Sequence, residues 1–464
     1  MPEGEARKLF GTDGIRGVAG EYPLDDNTVG LTGLALVSNL ARGLGRAPRI
    51  VIGRDTRESG PQIEQALARA AISAGAEVES AGVITTPGIA YITRATPFDA
   101  GVVISASHNP YRDNGIKVFS NSGKKLADEM ERRIEADIHE RTAEGRDLFE
   151  RMGAAFDEAS GAFQRREADY RQQYLAYLEN EVGRGLNLEG LSIGVDCANG
   201  AACEIAPVLF RRLGARLEVI SNAPDGRNIN ERCGSLHLEG LERLVIENRL
   251  DLGIAFDGDA DRALFVDSEG KLVDGDATLL LLADYLKSRG RLAKDLVVAT
   301  VMSNIGLELA LRERRIELAR AAVGDRYVLE ELLKRGAKLG GEQSGHIIFP
   351  DISLAGDGMI TALELLRAVR QSGRSLSELA SQMKRYPQVL VNVRVRSKPE
   401  LETLPEVKAA IDRLEGELQG RGRLLVRYSG TENLARVMIE GEDQQKIEEQ
   451  ANRLADSIRK AIGE

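Results

Sequence analysis

A chain of 464 residues is too long for one ordinary hydrophobic core and calls for about three or four domains. Its hydrophobic fraction of 42% and charged fraction of 29% are those of a soluble globular protein, and a formal charge of -10 argues against a basic nucleic-acid footprint. An anionic ligand must therefore meet cations or backbone amides gathered locally.

The N-terminal segment is polar and broken by glycine, without the apolar stretch of a signal peptide. The longest apolar stretch, Leu279 to Ala283, falls far short of a membrane span. Cys197, Cys203 and Cys233 are odd in number and lack C-x-x-C spacing, which disfavours a disulfide framework or zinc site and suits a reducing compartment. The expectation is a cytoplasmic protein with neither nucleic acid nor membrane as partner.

In chain order, the first feature is the Gly-rich segment FGTDGIRG from Phe10 to Gly17, with Thr12 and Arg16. Arg16 there either pairs with a phosphate or belongs to a structural turn. The segment from Arg49 to Arg57 reads as a buried strand ending in a polar turn, with a helix over Gln62 to Ala74. The same alternation recurs from Leu191, with a helix over Ala202 to Leu213, and from Leu296. β-branched runs alternating with helical stretches predict three related parallel α/β units.

Each unit contains a second strand with a Gly-led entry and an unusual polar loop at its end. Loops at the carboxyl ends of strands in such sheets are where ligands bind, so three loops are expected to point into one cleft. The first is SASHNP, Ser105 to Pro110, with two hydroxyls, His108 and a carboxamide after a buried strand. It is either an ordinary polar turn or a reactive loop. No G-x-S-x-G elbow surrounds Ser107, but a serine near Mg2+ can carry a phosphoryl group. Lys117 is a general acid or base if its pKa is lowered nearby, and otherwise a surface lysine.

The second loop, DGDADR from Asp257 to Arg262, carries the strongest physical signal. Asp257, Asp259 and Asp261 would repel one another if brought together without a cation, and hard oxygen ligands suit Mg2+. An EF-hand is excluded because Arg262 and Ser268 stand where its glycine and glutamate belong. A solvated acidic turn is the alternative. The third loop, GGEQSGH, sets Glu342, Ser344 and His346 on one flexible segment able to accept from and donate to sugar hydroxyls.

The C-terminal part differs. Val389 to Val395 alternates as an antiparallel strand does, a charged helix is expected from Glu400, and Ser372 to Pro387 reads as a linker. A strand after Arg423, a Ser-Gly-Thr turn, a strand over Ala435 to Glu440 and an amphipathic helix over Gln444 to Ile462 complete a smaller α+β domain. RYSGT from Arg427 to Thr431, with Arg436 beyond it, combines cations, hydroxyls and a close-approach glycine as a phosphate nest does. The expected domains are 1–160, 161–256, 257–378 and 379–464.

FGTDGIRG, SASHNP, DGDADR, GEQSGH and RYSGT, in that order between Phe10 and Arg436, resemble the α-D-phosphohexomutase superfamily. Gln343, VGDRYV from Val323 to Val328 and NINERCGS from Asn228 to Ser235 are most similar to its bacterial branch acting on glucosamine phosphate. The resemblance implies three related α/β domains plus a C-terminal α+β domain around a central active-site cleft. It implies a phosphoserine at Ser107, with Mg2+ held by Ser107, Asp257, Asp259 and Asp261. Lys117 and His346 would handle protons, Arg16 and Arg262 would support the phosphoserine region, and His108 would stand beside it. Glu342 and Ser344, with Thr12, would contact the sugar, while Arg427, Ser429, Gly430, Thr431 and Arg436 would grip the phosphate that is not reacting.

The implied reaction interconverts a hexose 6-phosphate and its 1-phosphate through a hexose 1,6-bisphosphate, which also serves as activator. A small sugar phosphate is then the partner, and a homodimer is compatible with the sequence. Alternatives are a glucose or mannose phosphate mutase of the same superfamily, a silent sugar-phosphate sensor, and a phosphatase.

Overall fold

Short runs of β-branched residues become the central strands of three sheets, buried on both faces as their near-continuous apolar sequence requires. The computed structural model describes residues 8–11, 13–143, 163–418, 420–429 and 432–464. They form two units, one of residues up to 302 with 318–381, the other of 303–317 with 382–464.

In the first unit one arrangement occurs three times. A central strand (Arg49–Arg54, Ser192–Asp196 or Leu296–Thr300) has a sheet neighbour on one side (Glu77–Val83, Arg216–Ile220 or Glu317–Ala321). On the other side runs a parallel strand (Ala100–Ile104, Leu252–Phe256 or Gly340–Gly341). That strand pairs antiparallel with the next in sequence (Asp113–Ser120, Ala263–Asp267 or Ile347–Ile348). The three chemically rich loops all leave the carboxyl end of the same strand of the repeat. The second sheet continues through Leu272–Val273 and so runs past residue 256.

Two elements of this unit depart from the expected pattern for local reasons. The helix expected over Ala202 to Leu213 is broken into a 3-10 turn, Ala201–Glu204, and a helix, Ala206–Arg212. Pro207 lacks the amide that would carry one helix through and sits instead in a new first turn. The expected linker from Ser372 to Pro387 contains the short helix Leu376–Ala380, started by a reciprocal Ser375–Glu378 capping box.

The second unit has a three-stranded antiparallel sheet with Leu434–Glu440 between Gln388–Arg394 and Arg423–Tyr428. The terminal helix Gln444–Ile462 buries Ile447, Ala451, Leu454, Ile458 and Ile462 at helical spacing against Val393, Val437 and Ile439. The preceding helix starts at Pro405, after a 3-10 turn over Leu401–Thr403, and not at Glu400.

One side chain holds the serine loop in shape. The fully buried Arg57 pairs with Asp55 at 2.9 Å and donates to the carbonyls of Ser107 and Asn109 at 2.9 Å each. It also donates to the carbonyls of Pro110 and Asp113. Ser107 needs that support, because its φ of 53° is a left-handed conformation disfavoured for a side-chain-bearing residue. Arg57→Met takes the cation from buried Asp55 and one donor from each of four carbonyls. It should lower stability by about 3–5 kcal/mol in a denaturant melt, and a loss below about 1 kcal/mol contradicts the clamp.

Candidate active site

Among the described residues, the acidic loop gathers three carboxylates able to share one metal ion. Carboxylate oxygens of Asp257, Asp259 and Asp261 lie within 4.8 Å of one another, and all three residues are buried. Like charges that close repel by roughly 3–4 kcal/mol per pair at an effective dielectric of about 20. Burial first, then the charges of Asp261 and Asp259, push the Asp257 carboxyl well above the ordinary range. Asp259 Oδ1 and Asp261 Oδ1 are buried without a hydrogen-bond partner. Two orphaned oxygens within a converging set of three carboxylates suit a hard divalent cation, so these residues fit a metal ion.

Ser107 stands at this cluster, its hydroxyl donating to Asp257 Oδ2 at 2.6 Å. Gly258 makes the approach of the two loops possible. A Cβ there would meet the Ser107 carbonyl at 2.6 Å and Asn230 Nδ2 at 2.9 Å. Asn230 also donates to the Ser107 carbonyl, and the Thr86 hydroxyl donates to Asp259 Oδ2 at 2.6 Å. Thr86 opens the helix Thr86–Ala95, whose cap is Thr85, so the first α/β domain buttresses the acidic loop as well as supplying the serine.

Lys117 Nζ lies 3.1 Å from Asp259 Oδ2, 3.7 Å from Asp261 Oδ2 and 3.2 Å from Asp13 Oδ2. The condition set for it in the sequence, a lowered pKa, is not met. Burial alone would lower the ammonium, but Asp13, Asp259 and Asp261 outweigh it and hold it above the ordinary lysine value. His346 follows the same logic. Burial opposes its charge, yet Asp261 and then Asp325 and Glu342 raise it to about 9. Its Nδ1 is 3.6 Å from Asp261 Oδ2, and Gly356 lies flat against the ring where any Cβ would overlap the imidazole.

Around this core lies a cavity of about 450 Å3, lined by Asp13, Arg16, His108, Arg262, Glu342 and His346 among others. Arg16 pairs with Asp13, and Arg262 donates its backbone amide to Asp257 Oδ1. The buried Nε atoms of both arginines have no hydrogen-bond partner, and Arg262 Nε faces Asp261 Oδ1 at 3.8 Å. His108 Nδ1 is 3.2 Å from Ser107 Oγ, and burial, followed by Arg262 and Arg16, lowers its pKa to about 4. Glu342 Oε1 accepts from the Gly324 amide at 3.0 Å, and Ser344 donates to Oε2 at 3.4 Å.

Arg427, Ser429 and Arg436 belong to the second unit. Arg427 and Arg436 face each other across paired strands, and Arg436 donates to Ser429 Oγ at 3.4 Å and to Glu432 at 3.2 Å. Thr12, Gly430 and Thr431 lie outside the described residues.

Sequence reasoning missed Asp13, Arg57, Lys125, Asn230 and Asp325. Four of these sit inside segments already singled out: Asp13 in the first Gly-rich turn, Arg57 in the turn after the first strand, Asn230 in NINERCGS and Asp325 in VGDRYV. Only their partners in space mark them as part of a site. Lys125 carried no signal at all.

Comparison with known proteins assigns the family. Models of the phosphoglucomutase/phosphomannomutase family match over nearly the whole chain. They are its alpha/beta/alpha domain I at residues 7–145, domain II at 172–270, domain III at 274–386 and its C-terminal domain at 390–457. The phosphoglucosamine mutase of Solibacter usitatus is 50% identical over 459 residues, with 99% of this chain and 100% of that protein covered. That of Koribacter versatilis is 51% identical over 461 residues, with 98% of each covered. A crystal structure of a phosphoglucomutase/phosphomannomutase family protein from Burkholderia thailandensis has the same fold, with a TM-score of 0.78 at 24% identity over 98% of each chain. The chain belongs to the phosphoglucomutase/phosphomannomutase family, whose members are isomerases.

The orphaned acidic oxygens generate a direct expectation. A divalent cation at about 100 times its dissociation constant should stabilise the fold by about 2.7 kcal/mol in a thermal melt. Asp259→Asn should weaken that response several-fold, and an equal response in both proteins contradicts the site.

Proposed function

We propose that the chain interconverts glucosamine 6-phosphate and glucosamine 1-phosphate, with Ser107 as the phosphoryl carrier and glucosamine 1,6-bisphosphate as the intermediate. The observation that carries this reading is the Ser107 hydroxyl 2.6 Å from Asp257 within a buried triplet of carboxylates. The left-handed backbone at Ser107 holds its hydroxyl beside that triplet, where it can take up and return a phosphoryl group. The amino-sugar substrate rests on the two relatives about 50% identical over their full length.

In the forward direction O1 of the 6-phosphate attacks phosphoserine 107, the P–O1 bond forms and the P–Oγ bond breaks. The bisphosphate then turns over, and Ser107 Oγ attacks the phosphorus on O6, so that the P–O6 bond breaks and phosphoserine is restored. Each half-reaction moves one proton between a sugar hydroxyl and Ser107 Oγ; His346 is assigned that traffic, while Lys117, held as an ammonium by Asp13, Asp259 and Asp261, serves as a charged hydrogen-bond donor beside it. Asp257, Asp259 and Asp261 would hold Mg2+ with the Ser107 phosphoryl oxygen, and the cation would supply neutralisation of charge on the transferring group.

Arg16 and Arg262, which line the cavity, steady the phosphoryl group, and His108 stays a neutral neighbour. Glu342 and Ser344 accept from and donate to sugar hydroxyls, with Thr12 nearby in sequence to Asp13. Arg427, Ser429, Gly430, Thr431 and Arg436 are assigned the phosphate at rest. A hexose 1,6-bisphosphate serves as activator because it rephosphorylates a bare Ser107. Among the described residues no helix is long and apolar enough to cross a membrane, and three free buried thiols suit the reducing cytoplasm we assign to the protein.

Turnover of glucosamine, glucose and mannose 6-phosphates, each with and without a catalytic amount of bisphosphate, tests the substrate. The proposal expects the amino sugar to have the highest kcat/KM and a lag without bisphosphate. Preference for glucose or mannose phosphate would move the chain to another branch of the family. Net release of phosphate without isomerisation would overturn the mutase reading. Ser107→Ala should abolish both turnover and the phosphate adduct seen by intact mass.

A further inference from the structure

Lys125 plays no part in the transfer set out above, yet its ammonium pairs with two aspartates that face Lys117 and His346. Its backbone is fixed by an isolated antiparallel bridge to Phe119. The side chain contacts Asp13 Oδ1, in the turn at the start of the chain, and stands 2.7 Å from Asp325 Oδ2, at the first residue of the helix Asp325–Arg335. Asp325 Oδ2 is in turn 3.7 Å from His346 Nε2.

From His346 the contacts run back to Lys125 by another route. His346 Nδ1 meets Asp261 at 3.6 Å, Asp261 meets Lys117 at 3.7 Å, and Lys117 meets Asp13 at 3.2 Å. Basic and acidic side chains alternate around a closed ring of six: Lys117, Asp13, Lys125, Asp325, His346 and Asp261. The Lys125 and Asp325 side chains are 22% and 20% exposed, so the pair that closes the ring is largely shielded from solvent.

We propose that Lys125 and Asp325 are positioning residues for the mutase reaction, their ion pair tying the first α/β domain to the third and fixing His346 and Lys117 against the acidic loop. The inference rests on the function proposed above. Without Lys125, Asp13 still has Arg16 and Lys117. Asp325 is left with the imidazole of His346 and the amide of Arg326. It would then draw His346 away from Asp261, and a group that hands over a proton loses efficiency with small displacements.

The test compares Lys125→Met, Asp325→Asn, the double variant and Lys125→Arg with wild type. Each of the first two should lower kcat by about 10- to 100-fold, with KM for the sugar phosphate within about threefold. The double variant should be no slower than the slower single, because the two residues act as one unit, and Lys125→Arg should recover most of kcat. Independently of turnover, Lys125→Met should shift the His346 ring resonances in a spectrum of the chain labelled at its four histidines. Single variants within about threefold of wild type in kcat, or losses that multiply in the double variant, overturn the proposal. So does a raised KM at unchanged kcat, which would make Asp325 a substrate contact. If Lys125→Met does not fold, Asp325→Asn, judged by kcat and by the same resonances, decides alone. A wild type without mutase turnover contradicts the proposed function, and the resonances still decide for or against the ring.

Discussion

Three carboxylates buried within 4.8 Å of each other cannot all remain charged on their own account. Much of the first unit can be read as a response to that constraint. Lys117 and His346 stand against Asp259 and Asp261, and Arg262 donates its amide to Asp257. Even so, Asp257 is pushed toward its neutral form, and two carboxylate oxygens have no donor. The protein side chains leave a deficit of positive charge at the point where the serine hydroxyl arrives. A divalent cation held by these three carboxylates would offset their repulsion and suit the site to a dianionic group.

The scaffold achieves the convergence by repetition. One strand order, used three times, places the serine loop, the acidic loop and the GEQSGH loop at equivalent carboxyl ends. Contacts between loops then set the register. Gly258 lets the acidic loop lie against the Ser107 carbonyl, Gly356 lets backbone lie against His346, and Arg57 with Asn230 fixes the turn on which Ser107 sits. Glycine is required at 258 and 356 because backbone or ring occupies the space of a Cβ. The energetic weight lies with Arg57, which satisfies four carbonyls and one carboxylate without access to water.

The sequence made the local half of this legible. Alternate aspartates after an apolar strand betray their crowding directly, and the terminal helix from Gln444 to Ile462 is readable from its apolar spacing alone. What stayed hidden depends on residues far apart in the chain. Lys125 meets partners 112 and 200 positions away, and in Gly-Lys-Lys it looks like any solvated surface lysine. The charge state of Lys117 was hidden for the same reason. A lowered pKa is the usual expectation for a buried lysine, and only the positions of Asp13, Asp259 and Asp261 reverse its sign. Pro207 did announce a helix break locally, but the periodic apolar pattern around it hid the interruption.

The account depends on a phosphoryl group on Ser107 oxygen sharing one cation with the acidic triplet. Electron–nuclear resonance on phosphorylated protein loaded with Mn2+ in place of Mg2+ reads that arrangement directly. A phosphorus hyperfine coupling of the size given by a directly bound phosphate, present in wild type and lost in Ser107→Ala, is the predicted result. Bound Mn2+ with no coupling to phosphorus would place the cation and the phosphoserine in separate sites and contradict the chemistry set out above.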